Sequence, residues 1–220
     1  LLDTGIEMPL TKLRLNQFSG ISLEKYTTLI MVSGSYNQLG KDEIKKIKKW
    51  VEKGNTLITI ARGSSWAINN KLINESLVES KKDSTYSRKN YVEAREFIGR
   101  ERIGGVILRA DIDLTHPVAF GYNDTSIPVY KNNNVFINKT NNDYSSVATY
   151  SKDFHIDGYI SELNKKDFIP GAASLIISKI GTGRVVVFAD NPNFRGTWYG
   201  TNKLFLNAIF LGNNISVPSN

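Results

Sequence analysis

His116 and His155 are the only imidazoles in this 220-residue chain. A catalytic zinc normally takes three nitrogen or oxygen ligands from the protein, and neither His-x-x-Glu nor His-Glu-x-x-His spacing occurs. His116 precedes Pro117 and lies close in sequence to Asp111 and Asp113. Joined to Ser64 or Ser65, these residues would form the base and orienting acid of a serine hydrolase. The opposing reading is a turn histidine bonded to a neighbouring carboxylate. Gly63-Ser64-Ser65 follows a buried-strand pattern, the setting of a nucleophile elbow, but Gly-x-Ser-x-Gly is missing and a serine there can equally cap a helix. The chain has no cysteine, which excludes thiol nucleophiles, thiolate metal sites and disulfides. No Gly-x-Gly-x-x-Gly is present, and Gly181-x-Gly183 precedes its strand, the wrong side for a dinucleotide loop.

The densest polar cluster is Asp190, Asn191, Asn193, Arg195, Trp198, Tyr199 and Asn202. It follows Val185-Val186-Val187-Phe188-Ala189, a run suited to a strand covered on both faces. Pro192 and the flanking Asn residues stop that strand. Ligands of open α/β sheets bind at the carboxyl ends of strands, so this crest is the candidate site. Two readings compete for it. In one, Arg195 pairs with Asp190 and the aromatics lid the core; in the other, the crest holds a ligand or partner.

The elements that would position the crest are legible in pattern. Gly181 and Gly183 suit a tight connection, so Ala172–Ile180 and Val185–Ala189 are expected to pair as a short antiparallel hairpin near the C-terminus. Leu204–Leu211 is apolar almost all round and should be a buried helix closed by Gly212, too short to span a bilayer. Between Gly40 and Gly54, Ile44, Ile47, Trp50 and Val51 share one helical face and lysines cover the other. Strand candidates Thr27–Val32 and Thr56–Ala61 flank this helix, which makes a βαβ unit with a parallel pair. Leu13 and Leu15 suggest a short strand, and Gly104–Ala110 another. Pro128–Tyr130, Val135–Ile137 and Val147–Tyr150 are further short strands. Residues 69–102 are expected to form an exposed excursion. The 28 Lys and Arg against 21 Asp and Glu give a net charge of +7. Much of that excess sits on the one helix, a solvated face rather than a nucleic-acid groove. Neither repeat nor linker breaks the chain, so residues 1–220 read as one α/β domain.

The run FADNPNFRGTWYGTNKLFLNAIFLG resembles the C-terminal domain appended to bacterial zinc carboxypeptidase-like proteins. LLDTGIEMPLTKLRL, YTTLIMVSGSY, WVEKGNTLITIARGSSW, ADIDLTHPVAFGY and VATYSKDFHIDGYIS agree with it in order. The resemblance implies a class I glutamine amidotransferase-like, flavodoxin-like fold: three layers, with a doubly wound, mainly parallel sheet. It also implies a first strand upstream of Leu1, so the chain is expected to be a fragment. A periplasmic or extracellular setting is implied too, with an N-terminal peptidase domain as partner. Zinc would belong to that domain alone, and no cofactor is expected here.

An active member of this fold carries a cysteine at the elbow after the strand Thr56–Ala61, where this chain has Arg62-Gly63-Ser64. The histidine and glutamate expected after Val185–Ala189 are replaced by Asp190-Asn191-Pro192-Asn193. The expectation is therefore a non-catalytic accessory domain that packs on the peptidase domain or binds peptide or glycan at the strand tips. Arg195 would be the anion contact, Asn191 and Asn193 hydrogen-bond partners, and Trp198 and Tyr199 a stacking wall. Ser33, Ser35 and Arg62 would lie beside them. The alternatives are the serine hydrolase above and a purely structural spacer.

Overall fold

The computed structural model describes residues 1–79, 90–99 and 102–218. A short helix α1 (Leu2–Gly5) opens the chain, and strand β1 (Thr28–Met31), helix α2 (Lys41–Glu52) and strand β2 (Thr56–Ile60) follow it. Helices α3 (Arg62–Asn69) and α4 (Tyr91–Gly99) come next. Then come strands β3 (Val106–Ile112), β4 (Ser126–Lys131), β5 (Ile137–Asn138) and β6 (Ser146–Gly158). The hairpin β7 (Ala172–Ile180) and β8 (Gly183–Phe188) leads to the closing helix α5 (Tyr199–Phe210). Leu13 and Leu15 do not form the expected strand: the chain there is irregular and then makes a 3-10 turn over Leu15–Gly20.

Helix α2 forms where its pattern puts it. Glu43 accepts from the Gly40 amide at 2.9 Å, which satisfies one donor at the helix start. Ile47, Trp50 and Val51 are buried against the sheet, and the Trp50 indole donates to Leu23 O at 2.8 Å. Strands β1, β2 and β8 are parallel neighbours, as the βαβ pattern predicts.

The rest of the sheet is antiparallel. The order is β1-β2-β8-β7-β6-β3-β4, with β5 beside β7. β7 pairs antiparallel with β8, β6 and β5, and β3 pairs antiparallel with β6 and β4. A mainly parallel, doubly wound sheet is thus corrected to a mixed one. The physical reason lies in β7, which is buried over seven successive residues, Ala172–Ser178. A strand covered on both faces shows no alternation, whichever way its neighbour runs.

The antiparallel half also curls. β4 is four strands from β8, about 19 Å along a flat sheet. Yet Lys131 at the end of β4 places its Nζ 3.0 Å from the carboxylate of Asp190, just past β8. Two cores lie on opposite faces. Ile58, Val186 and Phe188 belong to the one shared with β3, β4 and α5, and Leu57, Val185 and Val187 to the one shared with α2 and α3.

Of the expected excursion at 69–102, residues 80–89 and 100–101 lie outside the described residues. Within the remainder, Leu72 and Ile73 are buried in the α2-side core, and Val78 N donates to Phe136 O at 2.9 Å. Residues 72–78 are therefore part of the packed body.

Candidate functional site

Strand β2 ends in a sharp turn into α3. Its apex is Ala61, with φ 49° and ψ −111°, a conformation that costs a residue with a Cβ about 1–3 kcal/mol. The turn is held from both sides: Ala61 N donates to Phe188 O at 2.8 Å, and Ser65 N donates to Ala61 O at 3.1 Å. Two residues on, a Cβ at Gly63 would stand 2.7 Å from Met31 O, so α3 can begin against the tip of β1 only with glycine there. A strand, a positive-φ apex and a helix whose start is packed on the sheet together make the backbone of a nucleophile elbow. The apex residue is Ala61, one position before the Arg62-Gly63-Ser64 stretch expected to occupy it. Its methyl group has no nucleophile and is 2% exposed.

The serine-hydrolase alternative is not assembled. Ser64 is fully buried, and its hydroxyl lies 2.8 Å from Phe188 O and 3.0 Å from Thr59 Oγ1. Asp111 accepts from Ser151, and Asp113 accepts from Thr115 N at 2.9 Å and Thr115 Oγ1 at 2.6 Å. His116 Nδ1 accepts from Val118 N at 3.1 Å and so caps a 3-10 turn. Its Nε2 is buried with no hydrogen-bond partner among the described residues.

Burial lowers the His116 pKa below its ordinary 6.5, against an opposing pull from Asp113. A depressed folded-state pKa means that the unfolded chain takes up the proton first as pH falls. The stability His116 contributes is complete above 6.5 and lost as pH drops through the folded value. Unfolding free energies from urea titrations taken downward from pH 7 should therefore fall more steeply in the wild type than in His116→Asn. The difference in slope should reach at most about 1.4 kcal/mol per pH unit; parallel slopes would refute this role.

The crest divides into a buried root and an exposed rim. Asp190, at the root, is 5% exposed. It accepts from Lys131 Nζ at 3.0 Å, Tyr150 OH at 2.8 Å and Ser174 Oγ at 2.8 Å. Lys131 is fully buried, donates to Val135 O at 2.6 Å, and lies 4.4 Å from the Phe136 ring centroid. Burial lowers its pKa while Asp190 pulls it back up. Burial, followed by the same carboxylate, pushes the Tyr150 phenol well above its usual range. Arg195 is not the partner of Asp190, whose carboxylate accepts from these three other donors.

At the rim, Asn191 Oδ1 accepts from Asn193 N at 3.0 Å. With its amide nitrogen turned to the loop, Asn202 donates to Pro192 O at 2.9 Å and Asn193 Oδ1 at 2.8 Å. Both amides expected to bind a ligand therefore also brace the loop. Arg195 sits at φ 52° and is exposed, its guanidinium 5.3 Å from the Phe194 ring centroid. Phe194 in turn stacks on Tyr130 at 3.9 Å between centroids, and Trp198 lies 6.0 Å from the same ring. The wall behind Arg195 is thus Phe194, Tyr130 and Trp198, while Tyr199 is 75% exposed at the start of α5. Ser33, Ser35 and Arg62 are exposed after β1 and β2, on the same sheet edge. No hydrogen bond or ion pair joins them to the crest among the described residues. Nor do any three His, Asp or Glu side chains among those residues converge as metal ligands.

Sequence reasoning missed Lys131, Tyr150 and Ser174. The signal for Lys131 was present, because Ile127, Val129 and Lys131 alternate on the inner face of β4.

No protein-family profile matches the chain, and no curated protein is recognisably similar in sequence. Solved structures are similar in fold. A proposed ThuA-like protein of Parabacteroides merdae is 13% identical over 92% of this chain and 76% of its own, with a TM-score of 0.54. PurLQS of Thermotoga maritima is 16% identical over 86% of this chain and 81% of its own, with a TM-score of 0.50. A proposed GMP synthase component of Thermoplasma acidophilum is 14% identical over 87% and 75%, with a TM-score of 0.47.

Proposed function

We propose that a glutamine amidotransferase-like fold, the one the sequence resemblance implies, serves here as a non-catalytic accessory domain. One observation carries this reading: the elbow keeps its strained backbone at Ala61 but presents a buried methyl group where a nucleophile would stand. An acyl transfer has nothing to begin from at such an apex. The resemblance to the C-terminal domain of zinc carboxypeptidase-like proteins supplies the context, a domain beside a periplasmic or extracellular peptidase. Its work would be to pack on that peptidase or to hold a peptide or glycan at the rim, with Arg195 taking a carboxylate and the Phe194–Tyr130–Trp198 stack flanking it.

The purified chain should release no ammonia from glutamine, and a fluorophosphonate probe should label neither Ser64 nor Ser65. A fluorescein-labelled tri-alanine peptide with a free C-terminal carboxylate should bind more tightly than its amide. Arg195→Ala should weaken the free acid about two- to fivefold, the range of an exposed ion pair. Ammonia release or serine labelling would end the non-catalytic reading; equal binding of acid and amide would remove Arg195 from the site.

A further inference from the structure

A second surface lies at the other side of the sheet. Among the described residues β1 is an edge strand, bonded only to β2. Thr56 N donates to Thr27 O. The alternation of a parallel ladder then turns the main chain of Thr27, Leu29 and Met31 toward β2 and that of Thr28 and Ile30 away from it. No backbone hydrogen bond joins residues 6–15 to β1 among the described residues. Instead, an open cleft of about 300 Å³ separates Leu13–Leu15 from the strand, floored by Phe18, Leu39 and Ile47. Edge strands are usually guarded by charge, proline or a bulge, and Thr28-Leu29-Ile30-Met31-Val32 carries neither charge nor proline.

The charge lining the cleft is positive: Arg14 lines it without an ion pair, and no Asp or Glu does, among the described residues. Nearby, Lys46 reaches across Phe18 to Phe18 O and Ser19 O. We infer that this cleft receives an extended segment of another chain, added as a strand to the free edge of β1, with apolar side chains at alternate positions and carboxylates between them. Main-chain bonds to Thr28 and Ile30 give such a strand its hold, the cleft takes every second side chain, and Arg14 selects the acidic ones. β1 spans about 13 Å, so five residues cover it.

The test is titration of the full chain with the doubly blocked peptide Ac-Val-Glu-Val-Glu-Val-NH2, which has no terminal carboxylate for Arg195 to hold. Ile30→Pro removes the outward amide and no β1–β2 bond, a change that edge strands tolerate. It should weaken binding about tenfold or more, and Arg14→Glu about tenfold. The lysine counterpart Ac-Val-Lys-Val-Lys-Val-NH2 should bind the wild type more weakly than the glutamate peptide. Hydrogen exchange at Thr28 and Ile30 should slow when the glutamate peptide is added, a readout that stands if the proline variant does not fold. Absence of binding at ~1 mM, a range of weak affinity, would overturn the inference, as would unchanged exchange or equal binding by a folded Ile30→Pro. Dimerisation that Ile30→Pro abolishes and the peptide does not compete would also overturn it, by giving the edge to a second copy.

Discussion

Lys131→Ala is expected to destabilise the fold by about 3–5 kcal/mol, the loss typical of stripping one member from a buried ion pair. Lys131 is fully buried and Asp190 nearly so, hence alanine leaves a carboxylate inside the protein with only the Tyr150 and Ser174 hydroxyls to solvate it. Against a usual stability of about 5–15 kcal/mol, that is a large share. Urea unfolding measures it directly. The double variant Lys131→Met with Asp190→Leu should recover much of the loss, since a well-packed apolar pair often replaces a buried ion pair at little cost. A single variant within about 1 kcal/mol of wild type would show that the clasp adds nothing.

Gly183→Ala should be comparably damaging for a steric reason. A Cβ at that position would stand 1.8 Å from Val51 O and 2.5 Å from Asn55 O. Both obstacles are backbone, at the end of α2 and at the entry to β2, so no side-chain rotation relieves them. The hairpin or the helix must shift, and the expected loss is about 3 kcal/mol, the upper end of what overpacking typically costs. Gly20→Ala is the control: among the described residues nothing beyond its chain neighbours lies within 4 Å of its added carbon, and it should stay within about 0.5 kcal/mol. Equal midpoints for the two variants would refute the close approach.

The parallel third of the molecule was legible because its signals are local. The two-faced helix between Gly40 and Gly54 and the short apolar runs on either side admit one arrangement, and β1, α2 and β2 adopt it. The β7–β8 hairpin was legible for the same reason, through its glycine turn. Strand direction in the other half was not, because β7 is covered on both faces and antiparallel neighbours leave no mark on such a run. Val147–Tyr150 announced only the start of β6, whose 13 residues run on through Lys152, Asp153 and Asp157 with two register shifts against β3. The candidate site was half legible. Asn191, Asn193 and Arg195 follow β8 at its carboxyl end, but the aromatics beside Arg195 come partly from β4, and the partner of Asp190 comes from a strand 59 residues away that only the curl of the sheet brings near. Ala61 gave no sign at all, since an alanine's φ is invisible in sequence.

The alternation of the central strands has a last consequence. Val186 and Val187 are adjacent in sequence, yet one side chain points into each of two separate interiors, with the sheet between them as a bulkhead. Hollowing out one compartment should leave the packing of the other whole. The elbow stands where the two interiors meet: Ala61 packs into one and Ala67 and Ile68 of α3 into the other, so a substitution there is felt on both sides of the sheet.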